Sequence, residues 1–327
     1  MAVYTEVSED DLAALEAAYD IGEIVGCKGI AEGVENSNFL LETTRGPYIL
    51  TLYEKRVDPN DLPFFLGFME HLATVGCVAC PVPIKGRDGQ ALRTIAGRPG
   101  AIITFLRGIW PRRITAEHCA ELGAAMAKLH NAGLSFEGGR TNNLSVEGWR
   151  GLVGKISEET AAKLDPSLPG LMRGELETLS AAWPKLRASP DLPSGVIHAD
   201  LFPDNVFFLD GKCSGLIDFY FACTDFLAYD VAICLNAWCF EPNGEFNSTK
   251  AKRMFASYEA VRPLSALEKK FMPLFARGSA LRFMLTRLYD WVNTPPGALV
   301  KPKDPREYLR KLNFHRQVKS IGEYGLT

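Results

Sequence analysis

Residues 196–208 read Val-Ile-His-Ala-Asp-Leu-Phe-Pro-Asp-Asn-Val-Phe-Phe, and residues 215–219 read Gly-Leu-Ile-Asp-Phe. Three carboxylates (Asp200, Asp204 and Asp218), the Asn205 amide and the His198 imidazole stand here among strand-like apolar residues. Burying an unpaired carboxylate is costly, so such a pattern needs a compensating partner. The spacing supplies one. Asp200 and Asn205 are five residues apart, and Asp218 lies 18 beyond Asp200. Two short strands joined by residues 209–213, LDGKC, form a tight hairpin that brings all three to one end. Asn205 and Asp218 can then hold a divalent cation through oxygen, which suits Mg²⁺. Asp200 is left to orient a hydroxyl and accept its proton.

This is what phosphoryl transfer from ATP requires: metal-neutralised phosphates and a carboxylate that places the attacking oxygen in line. The protein-kinase signature H-R-D-x-x-x-x-N, followed by D-F-G, is matched by His198-Ala-Asp200, Asn205 and Asp218-Phe219. The plain alternative is an Asx-rich structural turn, since D-x-x-x-x-N alone is a common pattern. The preceding His, the apolar flanks and the later I-D-F favour the site. Tyr220 replaces the expected Gly, and no long activation segment or A-P-E follows. Residues 224–230, TDFLAYD, run straight into a helix instead. Without a platform for a peptide, the acceptor is expected to be a small molecule.

Working outward, residues 33–41 lead into an alternating segment, a turn signal at 44–47 and a second strand at 48–53, hence a β-hairpin with a polar loop at its front. A helix is expected at 61–75, then strands at 92–95 and 101–105 around a turn at 97–100. Ser8 and Asp11 form a capping-box pattern for a first helix with Leu12, Leu15 and Tyr19 on one face. Residues 115–130, 157–187 and 250–290 are mainly helix-like. The expected fold is α+β and two-lobed, protein-kinase-like: a small antiparallel-sheet N-terminal lobe at 1–105 for nucleotide, and a larger, mainly helical catalytic and substrate lobe at 106–327.

At these motifs the chain resembles the aminoglycoside- and choline-kinase-like phosphotransferases, along essentially its whole length. Within them it is most similar to the bacterial homoserine kinases. The shared stretches are GIAEGVENSN at 29–38, ILTLYEKR at 49–56, IDFYFA at 217–222, CLNAWCF at 234–240, and residues 281–291. The resemblance implies ATP- and Mg²⁺-dependent phosphorylation of the L-homoserine side-chain hydroxyl, in threonine biosynthesis. It implies Asp200 as catalytic base, Asn205 and Asp218 as metal ligands, and His198 and Asp230 as braces of the catalytic loop.

The nucleotide is expected against Gly33, Glu35, Asn36, Ser37 and Asn38, whose amides and side chains can donate to phosphate oxygens, and at the connector, Thr104 and Leu106. Thr51 stands where such kinases carry a phosphate-binding lysine, and that lysine's glutamate partner falls near Phe65. With both ends of the pair gone, neither is a buried unpaired charge. Lys55 or Arg56 can reach the phosphates instead, or both are exposed strand-end charges. An amino-acid substrate needs a cation for its carboxylate and an anion for its ammonium. Arg282, Thr286 and Asp290 share one helix face, opposite Leu281, Leu285 and Leu288. Tyr220, Asp225, Asn236 and Trp238 follow the metal site closely. Arg282 and Asp290 can equally pair with neighbouring helices.

The bulk numbers agree with an enzyme. The chain has 327 residues, 47% hydrophobic and 23% charged, with a net charge of −3. Its length suits two lobes, and its weak acidity does not suit sequence-independent nucleic-acid binding. There is no apolar run long enough for a membrane helix and no signal-peptide pattern at the N-terminus. Eight scattered cysteines fit a reducing cytoplasm, and Cys77 and Cys80, despite the CxxC spacing, read as core residues. No obligate protein partner is evident. Two rival readings stay open. One is a kinase for another small alcohol, such as choline, methylthioribose or an aminoglycoside, the last disfavoured by the basic tail at 301–311. The other is a non-catalytic kinase-fold binding module, which Thr51 favours and the intact Asp200, Asn205 and Asp218 oppose.

Overall fold

The computed structural model describes residues 5–30, 36–54, 57–294 and 301–326. Helix α1 (Glu9–Ala18) starts where the capping box predicts. The Ser8 hydroxyl accepts the Asp11 amide at 3.2 Å, and the Asp11 carboxylate accepts the Ser8 amide at 3.0 Å. Strands β1 (Ile24–Ile30), β2 (Ser37–Thr43) and β3 (Gly46–Leu52) come before helix α2 (Leu62–Val75), and β4 (Leu92–Ile95) and β5 (Arg98–Thr104) after it. They form one antiparallel sheet in the order β1-β2-β3-β5-β4. Strand β1 is invisible to an alternation test, because Gly26 and Gly29 interrupt it and its residues are half-buried or exposed. The β4–β5 turn is Ala96-Gly97, two positive-φ residues as tight hairpins require, so β5 starts earlier than expected.

The helical part comprises α3 (Ala116–Gly133), α4 (Val146–Lys155), α5 (Glu158–Leu164) and α6 (Leu168–Arg187). Two short ribbons follow. Strand β6 (Ser194–Ile197) pairs with β9 (Cys223–Phe226), and β7 (Val206–Leu209) pairs with β8 (Lys212–Leu216). Helices α7 (Leu227–Trp238), α8 (Ser248–Glu259), α9 (Ala266–Asn293) and α10 (Arg306–Gln317) complete it. Almost every residue of α7 is buried, and Leu281, Leu285 and Leu288 of α9 lie in the core as expected.

Two apolar clusters organise these elements. A small one joins α1 to a face of the sheet through Leu15, Tyr19, Leu41, Leu50 and Ile102. The large one fills the helical part and also takes in Phe65, Phe68, Met69 and Leu72 of α2. The Phe68 ring meets Phe219 edge-on at 6.0 Å, so the first lobe's helix is packed onto the segment that follows Asp218. That contact fixes where the sheet sits over the catalytic hairpin.

Helices α3 and α8 cross at close range. A Cβ added to Gly123 would lie 2.2 Å from the Met254 carbonyl oxygen. Helix propensity alone makes Gly123→Ala favourable. The backbone contact reverses the sign, because overpacking forces the helices apart. We expect Gly123→Ala to destabilise the protein by about 1–3 kcal/mol, measured by urea denaturation; a stabilised variant would show that this crossing is loose.

Candidate active site

The loop between β6 and β7 carries His198, Ala199, Asp200 and Asn205. Ala199 has φ of 62° and Asp218 φ of 63°, a left-handed conformation that a non-glycine residue adopts only when its surroundings enforce it. Here the enforcing groups are visible. The Asp230 carboxylate, on α7, accepts the His198 amide at 3.0 Å and the Ala199 amide at 2.8 Å, and also meets His130 at 3.1 Å. Arg282 donates to the Ala199 carbonyl at 2.7 Å, and the Trp238 indole N–H to the Leu201 carbonyl at 2.7 Å.

A second set of bonds ties the loop to Asp218. The His198 ring accepts the Asp200 amide at Nδ1 (3.3 Å), so its Nε2–H donates to the Ile217 carbonyl (2.9 Å). The Ile217 amide donates to the Asn205 carbonyl at 3.0 Å. The Asn205 side-chain N–H₂ donates to the Asp200 carbonyl at 2.8 Å and to its carboxylate at 3.2 Å. With its nitrogen held, the Asn205 amide keeps its oxygen as the group left to accept or coordinate. That oxygen and the Asp218 carboxylate, set at the head of a 3₁₀ turn (Phe219–Phe221), are hard-oxygen donors of the type Mg²⁺ takes when phosphates and waters complete its shell. Among the described residues no cluster of three His, Cys, Asp or Glu side chains could hold a metal on its own, which also leaves Cys77 and Cys80 as free thiols.

The nucleotide side departs from expectation in several places. Ser37 is fully buried and its hydroxyl donates to Glu54 at 2.8 Å, while Asn36 is buried and its carbonyl oxygen takes the Glu54 amide. The Asn38 carbonyl oxygen accepts the Thr51 hydroxyl at 2.8 Å. These groups brace the front of the sheet by bonding one another, so the Ser37 hydroxyl and the Asn36 side-chain oxygen are engaged inside the lobe. Thr51 is itself buried. Phe65 packs edge-on against Tyr220 at 5.8 Å in place of an ion pair. Thr104 exchanges bonds with Val82, its amide donating at 2.9 Å and its hydroxyl accepting at 2.9 Å. Gly33, Glu35, Lys55 and Arg56 lie outside the described residues.

Between the lobes lies a cavity of about 240 Å³, lined by Asp58, Asp61, Arg140, Asn142, Tyr220 and Arg282 among others. Of the residues expected near the acceptor, Tyr220 and Arg282 line this cavity. Burial, with the nearby Asp218 charge, pushes the Tyr220 phenol up to about 12, so it stays neutral. Asp225 is not in the cavity wall. It is buried behind it, bonded to Asn142 and Arg187 at 2.7 Å each, and burial raises its pKa against the pull of Arg187. Trp238 and Asn236 are core residues, Asn236 bonding Ala276, His315 and Lys311. Asp290 and Thr286 do not line the cavity either; the Thr286 hydroxyl bonds back to Phe283. The face shared by Arg282, Thr286 and Asp290 therefore diverges along α9. Asp61, Arg140 and Asn142 went unread; the polar loop EGGRTNN at 137–143, set between two helices, was the available signal.

Residues 26–264 match the family described as "Phosphotransferase enzyme family" (APH). The chain belongs to this family. It is 62% identical to the homoserine kinase of Paramagnetospirillum magneticum and 61% identical to that of Rhodospirillum rubrum, covering 100% of each chain in both cases. The fold is that of the kinase-like phosphotransferases. An amicoumacin kinase complexed with AMP-PNP and Ca²⁺ superposes with a TM-score of 0.71 at 15% identity, covering 95% of this chain and 93% of the other. A choline kinase from Cryptosporidium parvum does so with 0.63 at 17% identity, covering 94% of each.

Burial pushes the His198 pKa down from 6.5 to about 4, against the pull of Asp230. Burial and Lys311 likewise push His315 down to about 3. Both rings fold neutral. Between pH 6.5 and about 4 the unfolded chain therefore binds protons that the native chain refuses, and stability falls as pH falls. Each proton contributes up to about 1.4 kcal/mol per pH unit. Denaturation at pH 7, 6 and 5 should show this slope, and His198→Gln should make it shallower by one proton's share; an unchanged slope would mean that His198 is protonated in the fold.

Proposed function

We propose that the protein transfers the γ-phosphoryl group of ATP to the side-chain hydroxyl of L-homoserine, giving O-phospho-L-homoserine, a step in threonine biosynthesis. What carries this reading is identity above 60% with homoserine kinases over the full chain, together with Asp200, Asn205 and Asp218 tied into one site.

Asp200 sits in a loop whose backbone is locked on both sides, so its carboxylate has a fixed aim. It orients the substrate hydroxyl and takes its proton late in the transfer. Asn205 holds the Asp200 carboxylate at 3.2 Å through its N–H₂ and offers its oxygen to the metal, as Asp218 does with its carboxylate. When bound, Mg²⁺ neutralises the charge on the phosphates. Arg282 holds the loop at Ala199. Neutral Tyr220, bonded to Tyr53 at 3.2 Å, walls the acceptor side of Asp218 and keeps water out. The adenine is taken by the connector around Leu106, and the phosphates by the loop that includes Gly33, Glu35 and Asn38, with Lys55 or Arg56 in the missing lysine's role. The reaction is placed in the cytoplasm, a setting that suits eight free thiols. No described helix is long and apolar enough to cross a membrane.

ADP release by the purified protein with Mg·ATP and L-homoserine, choline, methylthioribose, serine or threonine tests this. Homoserine should be turned over best. Serine is one methylene shorter, which draws its hydroxyl back by about 1 Å, and such a misplacement costs on the order of 10²-fold in rate. A different preferred acceptor would overturn the assignment. Asp200→Asn is nearly isosteric and removes only the proton acceptor. It should fold, keep nucleotide affinity and lose roughly 10²–10⁴-fold in kcat; near wild-type kcat would remove Asp200 as the base.

A further inference from the structure

Two ions of opposite sign meet at the wall of the cavity. Asp61 stands at the head of α2, in the N-cap position, where an aspartate ordinarily accepts a helix amide. It makes no such bond. Its carboxylate instead meets the Arg140 Nε at 2.5 Å. Arg140 comes from the loop between α3 and α4. Its Nη1 donates to the Ala222 carbonyl at 3.2 Å, and its guanidinium lies 5.1 Å over the Phe65 ring. This plane is therefore held just behind the Asp218–Phe221 turn, and its Nη2 has no partner recorded among the described residues.

The other charges on this wall are each anchored to the protein, although the buried Arg282 Nε has no partner among the described residues. Arg282 donates to Ala199 and is packed between the Phe221 and Phe283 rings. The Asp58 carboxylate caps the Asn60 amide and side chain at 2.9 Å each. Asp225 is closed off by Asn142 and Arg187.

We propose that Asp61 and Arg140 are the specificity pair for a zwitterionic acceptor. The amino acid enters between them, its α-carboxylate taking the guanidinium and its α-ammonium taking Asp61. This rests on the homoserine reading and names the groups that recognise the head of that substrate. In the free protein the two ions satisfy each other, so neither is a half-buried unpaired charge. The substrate replaces one ion pair by two. An alcohol that carries only a cation, or only an anion, breaks the resident pair and strands one of its members. The pair thus selects against choline-like alcohols as well as for amino acids.

The test is calorimetric binding to the full chain holding a non-hydrolysable ATP analogue. The ligands are L-homoserine, 3-aminopropan-1-ol, which lacks the carboxylate, and 4-hydroxybutyrate, which lacks the ammonium. Wild type should bind homoserine at least about 10-fold tighter than either, the range expected of a hydrogen bond to a charged group. Arg140→Ala should shrink the homoserine/aminopropanol ratio to about 1. Asp61→Asn, nearly isosteric, should do the same for the homoserine/hydroxybutyrate ratio. Arg140→Lys, which keeps the charge and loses the fork, should fall between. Retained affinity for the ATP analogue shows that each variant is folded. Ratios that the variants leave unchanged, or a wild type that binds all three alike, would overturn the pair. Failure of wild type to turn over homoserine would overturn the reaction and is read separately, in the ADP-release assay.

Discussion

The Asp230 carboxylate is the constraint on which the site depends. It lies fully buried, where desolvation works against its charge. The hydrogen bond and charge of His130, joined by the His198 amide, outweigh that cost, and its pKa lies below the ordinary carboxylate value. Two amides of the catalytic loop converge on it, and one of them belongs to Ala199, a residue in the left-handed region without glycine's freedom. Arg282 pulls on the carbonyl of the same residue. The loop is thus held at its left-handed residue through the peptide groups on both sides of it, and Asp200 inherits its direction from that grip.

The rest of the helical part can be understood as support for this grip. Helix α7 carries Asp230 at the centre of the large core, and α3 brings His130, whose Nδ1 meets the Tyr258 hydroxyl at 2.7 Å on α8. The α3–α8 crossing permitted by Gly123 is what lets those two side chains meet. His198 links the loop to Ile217, and so to Asp218, through a neutral ring whose two nitrogens have different jobs. A charged imidazole there would have no acceptor role to offer the Asp200 amide, which is why its desolvation is useful to the site.

The buried carboxylates of the helical part follow a different rule. Asp225 is held by Arg187, and Glu175 by both Arg277 and Arg316, and these ions serve packing. The Asp61–Arg140 pair opens onto the cavity, and its carboxylate is the less buried one, with a side-chain exposure of 24% against 0% for Asp225 and 3% for Glu175. A pair in that position can exchange partners at modest desolvation cost, whereas the deeper ones cannot. Position relative to solvent, rather than residue type, separates the structural ions from the ones suited to recognition.

The catalytic pattern was legible in the sequence because its logic is local: five residues from Asp200 to Asn205, the β7–β8 ribbon, then Asp218 just beyond it. The capping box of α1 and the apolar stripes of α3 and α9 are local in the same sense, each read within a few turns. The substrate wall was not legible. Asp225 is near the site along the chain and Asp290 shares a helix face with Arg282 by spacing, but neither lines the cavity. Asp61 and Arg140 stand 79 residues apart and meet only because Phe65 and Phe68 dock α2 against the turn that follows Asp218. Likewise Ser37 reads as a phosphate donor until Glu54 folds back beside it. The sequence by itself determined the family resemblance and the pattern of Asp200, Asn205 and Asp218, because that pattern is written within one short stretch of chain. Only the tertiary structure decided which charges face the cavity, because that depends on how two lobes pack, and no local spacing encodes a contact between them.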